Sequence, residues 1–177
     1  MNKISLTLFI LTFLLLGCKK FDEKTQFEMD YNQTVVVPSS TLIDLGINLF
    51  TPETETNSES TFAINDTRKD KIEEIKLKEM TLNLTSPSGA DFSFLESIRI
   101  YINAEGLGEK EVAWKSPVPE TTAGTLTMDV SDSDFKEYIK KDEFSLRVNT
   151  VTDETLGSDH EIEVASVFFV DALVLGQ

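Results

Sequence analysis

The stretch from Ile98 to Asn103 reads IRIYIN, in which isoleucines alternate with arginine, tyrosine and asparagine. Successive side chains of a β-strand point to opposite faces, so this period of two predicts a strand with one buried and one exposed face. The same alternation recurs in four other segments, over residues 27–37, 43–49, 144–148 and 162–170. The repetition predicts a mostly β protein.

Shorter segments extend the predicted strand pattern. Residues 75–84 carry two alternating runs that are out of phase by one residue, which predicts a β-bulge near Lys78-Glu79. Residues 112–114 and 126–130 predict two further strands, and the proline and glycine of residues 86–89 predict a turn. These segments raise the number of predicted strands without adding a second type of element.

Residues 52–71 interrupt the strands with a polar and acidic segment. Its composition is too hydrophilic for a core element, and it predicts a long surface loop from which Phe62 and Ile64 dock onto the domain. The loop has no motif that indicates chemistry.

Residues 131–140 contain the only predicted helix. Ser131 can accept a hydrogen bond at the N-cap, and Asp132 and Asp134 place negative charge in the first turn. Apolar residues follow at i, i+3 and i+4, namely Phe135, Tyr138 and Ile139. The sequence therefore predicts a short amphipathic helix that packs on the sheets.

Taken together, the predicted elements favour an all-β fold. Many short strands separated by turn signals are typical of an immunoglobulin-like β-sandwich, here of about seven to nine strands with one short helix. Residues 26–177 fall within the usual size of one domain and show no internal repeat or compositional break. We expect a single β-sandwich domain over residues 26–177.

The beginning of the chain has the pattern of an export signal. A short basic region precedes an apolar run over residues 4–16, which is too short to span about 30 Å of hydrocarbon. Leu15-Leu16-Gly17-Cys18 then resembles the lipobox of bacterial lipoproteins, in which the cysteine is lipidated and the preceding signal is removed. The resemblance implies a lipoprotein signal peptide over residues 1–17, a lipid on Cys18 and a tether over residues 18–25.

Cysteine usage agrees with this interpretation. Cys18 is the only cysteine, so the alternative of an ordinary signal peptide would leave an unpaired thiol outside the cytoplasm. The chain resembles the lipoproteins of the Bacteroidota, which implies anchoring in the cell envelope, at the outer membrane. Asp22-Glu23 is similar to the acidic surface-export signal of that group and also fits a solvated linker. Periplasmic and surface-facing placements both stay open.

The charge of the chain excludes one class of partner. Without residues 1–17, which hold one lysine, the chain has 15 Lys+Arg against 31 Asp+Glu, a net charge of −16. Nucleic-acid binding depends on cationic side chains that displace counterions from phosphates. We therefore expect no nucleic-acid partner.

Candidates for catalysis are few. His160 is the only histidine, so a Ser-His-Asp arrangement would have to use it, and no Gly-x-Ser-x-Gly motif accompanies it. A histidine between Asp159 and Glu161 indicates a solvated loop residue. We predict no catalytic residue.

The acidic run after residue 128 is the strongest candidate for a metal. Asp129, Asp132 and Asp134 could offer oxygens to Ca²⁺ together with two serines, Ser131 and Ser133. The glycine and the final glutamate of a helix-loop-helix calcium site are absent, and helix capping explains the same residues. We predict no metal site and no cofactor.

Trp114 and Tyr101 are the candidate ligand-binding residues. Aromatic rings can stack on sugars, whereas the alternative is that Trp114 covers the core or a sheet edge. The sequence favours a membrane-anchored, non-enzymatic binding or scaffolding module of the cell envelope, with an envelope protein as partner. The alternative is a lipoprotein that binds a glycan or small ligand, and a hydrolase that uses His160 comes third.

Overall fold

The computed structural model describes residues 26–44, 46–120 and 123–174. The predicted signal peptide, Cys18 and the tether over residues 18–25 lie outside the described residues. The described residues form ten strands, two of which, β3 and β8, are only two residues long. In chain order they are β1 (Gln26–Val37), β2 (Gly46–Phe50), β3 (Thr54–Glu55), β4 (Ile72–Ser86), β5 (Leu95–Asn103), β6 (Lys110–Lys115), β7 (Thr125–Thr127), β8 (Asp129–Val130), β9 (Glu143–Thr152) and β10 (His160–Ala172).

The strands form two antiparallel sheets. The four-stranded sheet has the order β1-β10-β4-β7, and the six-stranded sheet has the order β2-β9-β5-β6-β8, with β3 paired to β9. The buried side chains of both sheets form one hydrophobic cluster. The predicted β-sandwich is therefore confirmed.

Aromatic rings occupy the centre of the core. The ring centroid of Phe168 on β10 lies 5.9 Å from Tyr31, 6.2 Å from Phe135 and 6.5 Å from Phe144. All three pairs meet edge to face, the geometry that the ring quadrupole favours. These contacts join the two sheets, because Tyr31 lies on β1 and Phe144 on β9.

The predicted bulge in β4 is confirmed. Leu77 pairs with Phe168 and Glu79 pairs with Val167, so Lys78 is an extra residue with no partner position on β10. Both Lys78 and Glu79 are exposed, and the next residue returns to the core. The bulge lets the two out-of-phase halves of the strand bury the same face.

The helix predicted over residues 131–140 is shorter than expected. Only α2 (Lys136–Ile139) is helical, and Ser131 lies five residues before it. Asp134 explains the difference, because it forms a β-bridge with Lys76 that keeps the chain extended up to this point. Phe135 and Ile139 are fully buried as the apolar stripe predicted.

The segment predicted as a surface loop, residues 52–71, has regular structure. It contains β3, the helix α1 (Ser58–Ile64) and a 3₁₀ turn at Lys69–Lys71. Phe62 is fully buried and packs edge to face on Phe27, but Ile64 is 82% exposed. The docking predicted for Phe62 is thus correct and that predicted for Ile64 is wrong.

Two predicted strands also have different bounds. The strand expected over residues 43–49 begins at Gly46, and Ile43 is exposed. The strand expected over residues 126–130 is divided at Met128 into β7 of one sheet and β8 of the other. The chain therefore crosses between the sheets within one residue.

The two ends of the sandwich differ in their elements. We call them the Gln26 end, where β1 begins and β10 ends, and the His160 end, where β10 begins. The helix α1 and the 3₁₀ turn precede β4 at the Gln26 end. Within residues 26–44, 46–120 and 123–174, no helix is both long enough and apolar enough to cross a membrane.

Candidate functional site

The outer surface of the six-stranded sheet carries two cross-strand rows of polar and aromatic side chains. Strand pairing defines the first row across five strands: Asn48, Asn149, Arg99, Trp114 and Asp129. The second row lies beside it and consists of Phe50, Arg147, Tyr101 and Glu111. We call these nine residues the aromatic face.

Strand alternation places these side chains away from the core. Their neighbours along the strands, such as Ile100, Leu146 and Val148, are buried at 1% exposure or less. At about 4.8 Å between neighbouring strands, the first row extends about 19 Å across the sheet. This dimension suits an elongated ligand that lies across the strands.

Arg147 is the most constrained side chain of the aromatic face. Its guanidinium lies over the Tyr101 ring, 4.1 Å from the ring centroid. Its Nε donates to both carboxylate oxygens of Glu109 at 2.9 Å, and its Nη1 donates to the Asn48 side-chain oxygen at 2.8 Å. The hydrogen bond to Glu109 raises the pKa of Arg147. The guanidinium therefore stays charged and covers one side of Tyr101.

Trp114 occupies a more open position in the first row. It is partly exposed, and it lies between Arg99 on β5 and Asp129 on β8. Arg99 donates to Glu111 at 2.7 Å, while Asp129 accepts from the Lys115 ammonium at 3.2 Å. The two cross-strand neighbours of Trp114 are thus charged residues, each of which is already paired with an opposite charge.

In the structure, Trp114 and Tyr101 lie on the same outer surface of the six-stranded sheet, as a shared binding site requires. Pairing of Arg99 with Trp114 and of Tyr101 with Glu111 makes the two aromatic residues diagonal neighbours on adjacent strands. Phe50, Asn48 and Arg147, which come from β2 and β9, were not predicted from the sequence. Their outward phase was readable from the alternation, but the pairing that aligns them was not.

Comparisons with known proteins give distant similarities to solved structures. No family model and no curated protein matches the chain. A capsid structure of cyanophage Pam1 is similar at 7% identity over 82% of this chain and 86% of that chain, with a TM-score of 0.38. A xylan-binding module is similar at 13% identity over 84% and 99%, with a TM-score of 0.36. A Clostridium perfringens module in complex with GalNAc-β-1,3-galactose is similar at 7% identity over 81% and 97%, with a TM-score of 0.34.

His160 lies in a different environment from the one predicted. It is only 8% exposed, so its interpretation as a solvated residue is wrong. Its Nδ1 lies 2.9 Å from the Ser158 carbonyl oxygen, which fixes Nδ1 as the donor, and its ring packs 4.6 Å from Phe94. The neighbouring Asp159 carboxylate accepts from the Ser39 amide. The contacts of His160 and Asp159 thus hold the loops of the His160 end together.

The acidic side chains after position 128 contact different residues of the domain. Asp129 pairs with Lys115 on the aromatic face, whereas Asp134 accepts from the amides of Ile75 and Lys136 at 3.1 and 2.9 Å. Burial opposes ionisation of Asp134, but these two hydrogen bonds and the Lys136 ammonium lower its pKa overall. The Asp134 carboxylate therefore ties α2 to β4.

A cluster of carboxylates lies at the Gln26 end, on the side of the six-stranded sheet. An open cavity of about 460 Å³ is lined by residues 55–60 together with Asp142 and Glu143. Repulsion from Glu53 is the main cause that raises the pKa of Glu143, and Glu105 and Glu55 add to it. This corner of the domain is strongly negative.

Proposed function

We propose that the protein is a lipid-anchored, non-enzymatic binding module of the bacterial cell envelope, and that it binds through the aromatic face. The anchor part of the proposal is supported by the lipobox-like Leu15–Cys18 and by the single cysteine. The binding part is supported by one structural observation. Trp114, Tyr101 and Phe50 lie together on an outer sheet surface, among paired charges.

A glycan is one ligand class that this surface fits. An aromatic ring offers a flat apolar surface to the C–H groups of a sugar ring, and Trp114 is accessible for this contact. Arg, Asn and carboxylate groups supply both donors and acceptors for sugar hydroxyls. They are already held in place by the contacts of Arg147, Arg99 and Asn48, so little side-chain entropy is lost on binding.

An envelope protein is the other candidate, favoured by a different observation. Phe50 is 68% exposed, and it is the cross-strand neighbour of Arg147. Exposed aromatic residues beside arginine are typical of the residues that dominate protein interfaces. A partner that covers Phe50 as well as Trp114 would make the module a scaffold or accessory subunit.

Cross-linking of the full-length protein in cells, followed by identification of the partner, distinguishes these two ligands. A glycan array on the same protein gives the complementary measurement. We expect Trp114→Ala to abolish capture of a glycan, and both Trp114→Ala and Phe50→Ala to reduce capture of a protein. Leu42→Ala is the control, because Leu42 is 60% exposed but lies at the His160 end. If the Trp114→Ala variant captured a glycan or protein as well as the unchanged protein does, binding through the aromatic face would be refuted. Reproducible turnover of an envelope substrate would refute a non-enzymatic role.

The anchor has a separate test. Cys18→Ala removes the thiol that would carry the lipid, so we expect the protein to move from the membrane fraction to the soluble fraction. Cys18→Ala leaves the apolar run of residues 4–16 unchanged, and export should continue. Retention of the variant in the membrane fraction would show that another feature holds the protein there.

A further inference from the structure

Two apolar side chains are exposed at the Gln26 end. Ile64, the last residue of α1, is 82% exposed, and Leu173, just after β10, is 45% exposed. Large apolar side chains are also exposed elsewhere, but this pair lies where the chain enters the domain. Gln26 pairs with Asp171, two residues before Leu173.

The backbone around this pair is held by hydrogen bonds and by packing. The Thr67 hydroxyl donates to the Leu173 carbonyl at 2.7 Å, and the Leu173 amide donates to the Lys71 carbonyl at 2.9 Å. Phe62 of α1 is fully buried against Phe27 of β1. The exposed side chains of Ile64 and Leu173 are therefore presented by a fixed backbone.

The length of the tether limits where this end can lie. Eight residues, 18–25, separate the proposed lipid site from the start of β1. Such a segment spans at most about 29 Å when fully extended. The domain itself is longer, because the 12 residues of β1 extend about 40 Å at a rise of about 3.3 Å each. A lipid on Cys18 would therefore keep the Gln26 end closer to the membrane than the His160 end.

The charges at the Gln26 end are unevenly divided. Residues 64–73 contain three cations and three acids, Arg68, Lys69, Lys71, Asp66, Asp70 and Glu73, and so have no net charge. The corner under the six-stranded sheet is instead acidic, with Glu53 and Glu105 both close enough to repel Glu143. Asp171, which pairs with Glu74 beside Leu173, adds one negative charge to the first corner, and the Lys69 ammonium is shared with Asp142 of the acidic corner at 3.3 Å. A phospholipid surface with anionic headgroups therefore repels the first corner less than the second.

We propose that the Gln26 end docks on the membrane that carries the lipid, with Ile64 and Leu173 inserted at the interface and the acidic corner turned away. The docking rests on the proposed lipid anchor, and it adds an orientation to it. The long axis of the sandwich then points away from the membrane surface, and the loops of the His160 end lie at the far end of the domain.

Site-specific labelling tests this orientation. Lipidation consumes the Cys18 thiol, so a single introduced cysteine can carry an environment-sensitive fluorophore. We would label Ile64→Cys and Leu173→Cys in the protein that cells produce from the full-length chain, reconstituted in vesicles of phosphatidylethanolamine and phosphatidylglycerol. The matched controls are Glu105→Cys, in the acidic corner, and Leu42→Cys, at the His160 end. The hydrogen bonds of Leu173 to Thr67 and Lys71 use its backbone carbonyl and amide, so the cysteine substitution leaves them in place.

The expected result is a blue-shifted emission and at least a twofold gain in intensity at positions 64 and 173, with quenching by a lipid-borne quencher. Labels at positions 42 and 105 should keep the emission that they have in water. If all four labels were equally exposed to water on protein that floats with the vesicles, the docking would be refuted and the anchor would not. Protein that fails to float would refute the anchor and the docking together.

Discussion

The guanidinium of Arg147 lies 4.1 Å from the centroid of the Tyr101 ring, on a strand adjacent to that of the tyrosine. The same guanidinium contacts Glu109 at 2.9 Å and Asn48 at 2.8 Å. Arg147 thus joins β2, β9 and the segment before β6 on the aromatic face. One planar group satisfies an aromatic ring, a carboxylate and an amide, a combination that lysine cannot reproduce.

Arg147→Lys tests the value of this geometry. The substitution keeps the positive charge and removes the planar fork, so we expect the free energy of unfolding to fall by about 1 kcal/mol. Arg68→Lys is the control, because Arg68 contacts Asp70 at 2.6 Å with both side chains more than half exposed. Urea denaturation measures both. Equal effects of the two substitutions would contradict a specific role of the stacking.

Phe135→Ala tests the packing of the segment before α2. Phe135 is fully buried and meets the rings of Phe168 and Tyr138. Removal of a buried phenyl ring leaves a cavity, so we expect a loss of about 3 to 5 kcal/mol. Phe50→Ala makes the same chemical change at a residue that is 68% exposed, and should change stability by less than about 0.5 kcal/mol. A loss within error for Phe135→Ala would place its ring on the surface.

Asp134→Ala tests the carboxylate that ties α2 to β4, and it predicts a pH dependence. Because the folded state lowers the pKa of Asp134, its contribution to stability is present above the unfolded pKa of about 3.9. The contribution is lost as the pH falls through the lowered pKa. We expect a loss of about 1 to 3 kcal/mol at pH 7, because two amides lose a charged acceptor.

The difference between Asp134→Ala and the unchanged protein should therefore shrink as the pH falls below about 4. Asp132→Ala serves as the control, since Asp132 is an exposed acid of the same segment. Thermal unfolding between pH 2 and pH 7 gives the comparison. A constant difference over this range would mean that the charge of Asp134 does not contribute.

Deletion of Lys78 tests the β-bulge of β4. Without Lys78, Leu77 and Glu79 remain opposite Phe168 and Val167, and the apolar residues of β4 alternate without interruption. We expect the variant to fold, with a small loss from the exposed ion pair between Lys78 and Glu28. Deletion of Thr81 is the control, because it would turn Leu82 away from the core and should be far more destabilising. Unfolding of both variants would show that the bulge itself is required.

The sheets were predictable because burial on one face imposes a period of two on the sequence. The alternating isoleucines of β5 and the phase change around Lys78 both result from the burial of one face of each strand. The helices were harder to predict. The helix α1 buries only Ser58 and Phe62, too few positions for an apolar stripe, and the extended chain before α2 depends on the bridge from Asp134 to Lys76.

The candidate site was predictable only in part, for a related reason. Tyr101 and Trp114 are notable by residue type alone, since the chain has one tryptophan and three tyrosines. Asn48 and Asn149 become neighbours through the pairing of β2 with β9, across about 100 residues of sequence. Strand register of this kind is set by long-range packing and turn geometry, and it has no local signature.

The position of β1 determines how the domain would respond to tension. β1 is an edge strand that pairs with β10 along its whole length, from Gln26 opposite Asp171 to Val37 opposite His160. Its hydrogen bonds run perpendicular to the strand axis. A pull on the chain before Gln26 acts along that axis, so it shears the whole ladder at once and does not open the bonds one after another. Mechanical load from an attached partner would thus be shared among the backbone hydrogen bonds of the β1–β10 ladder.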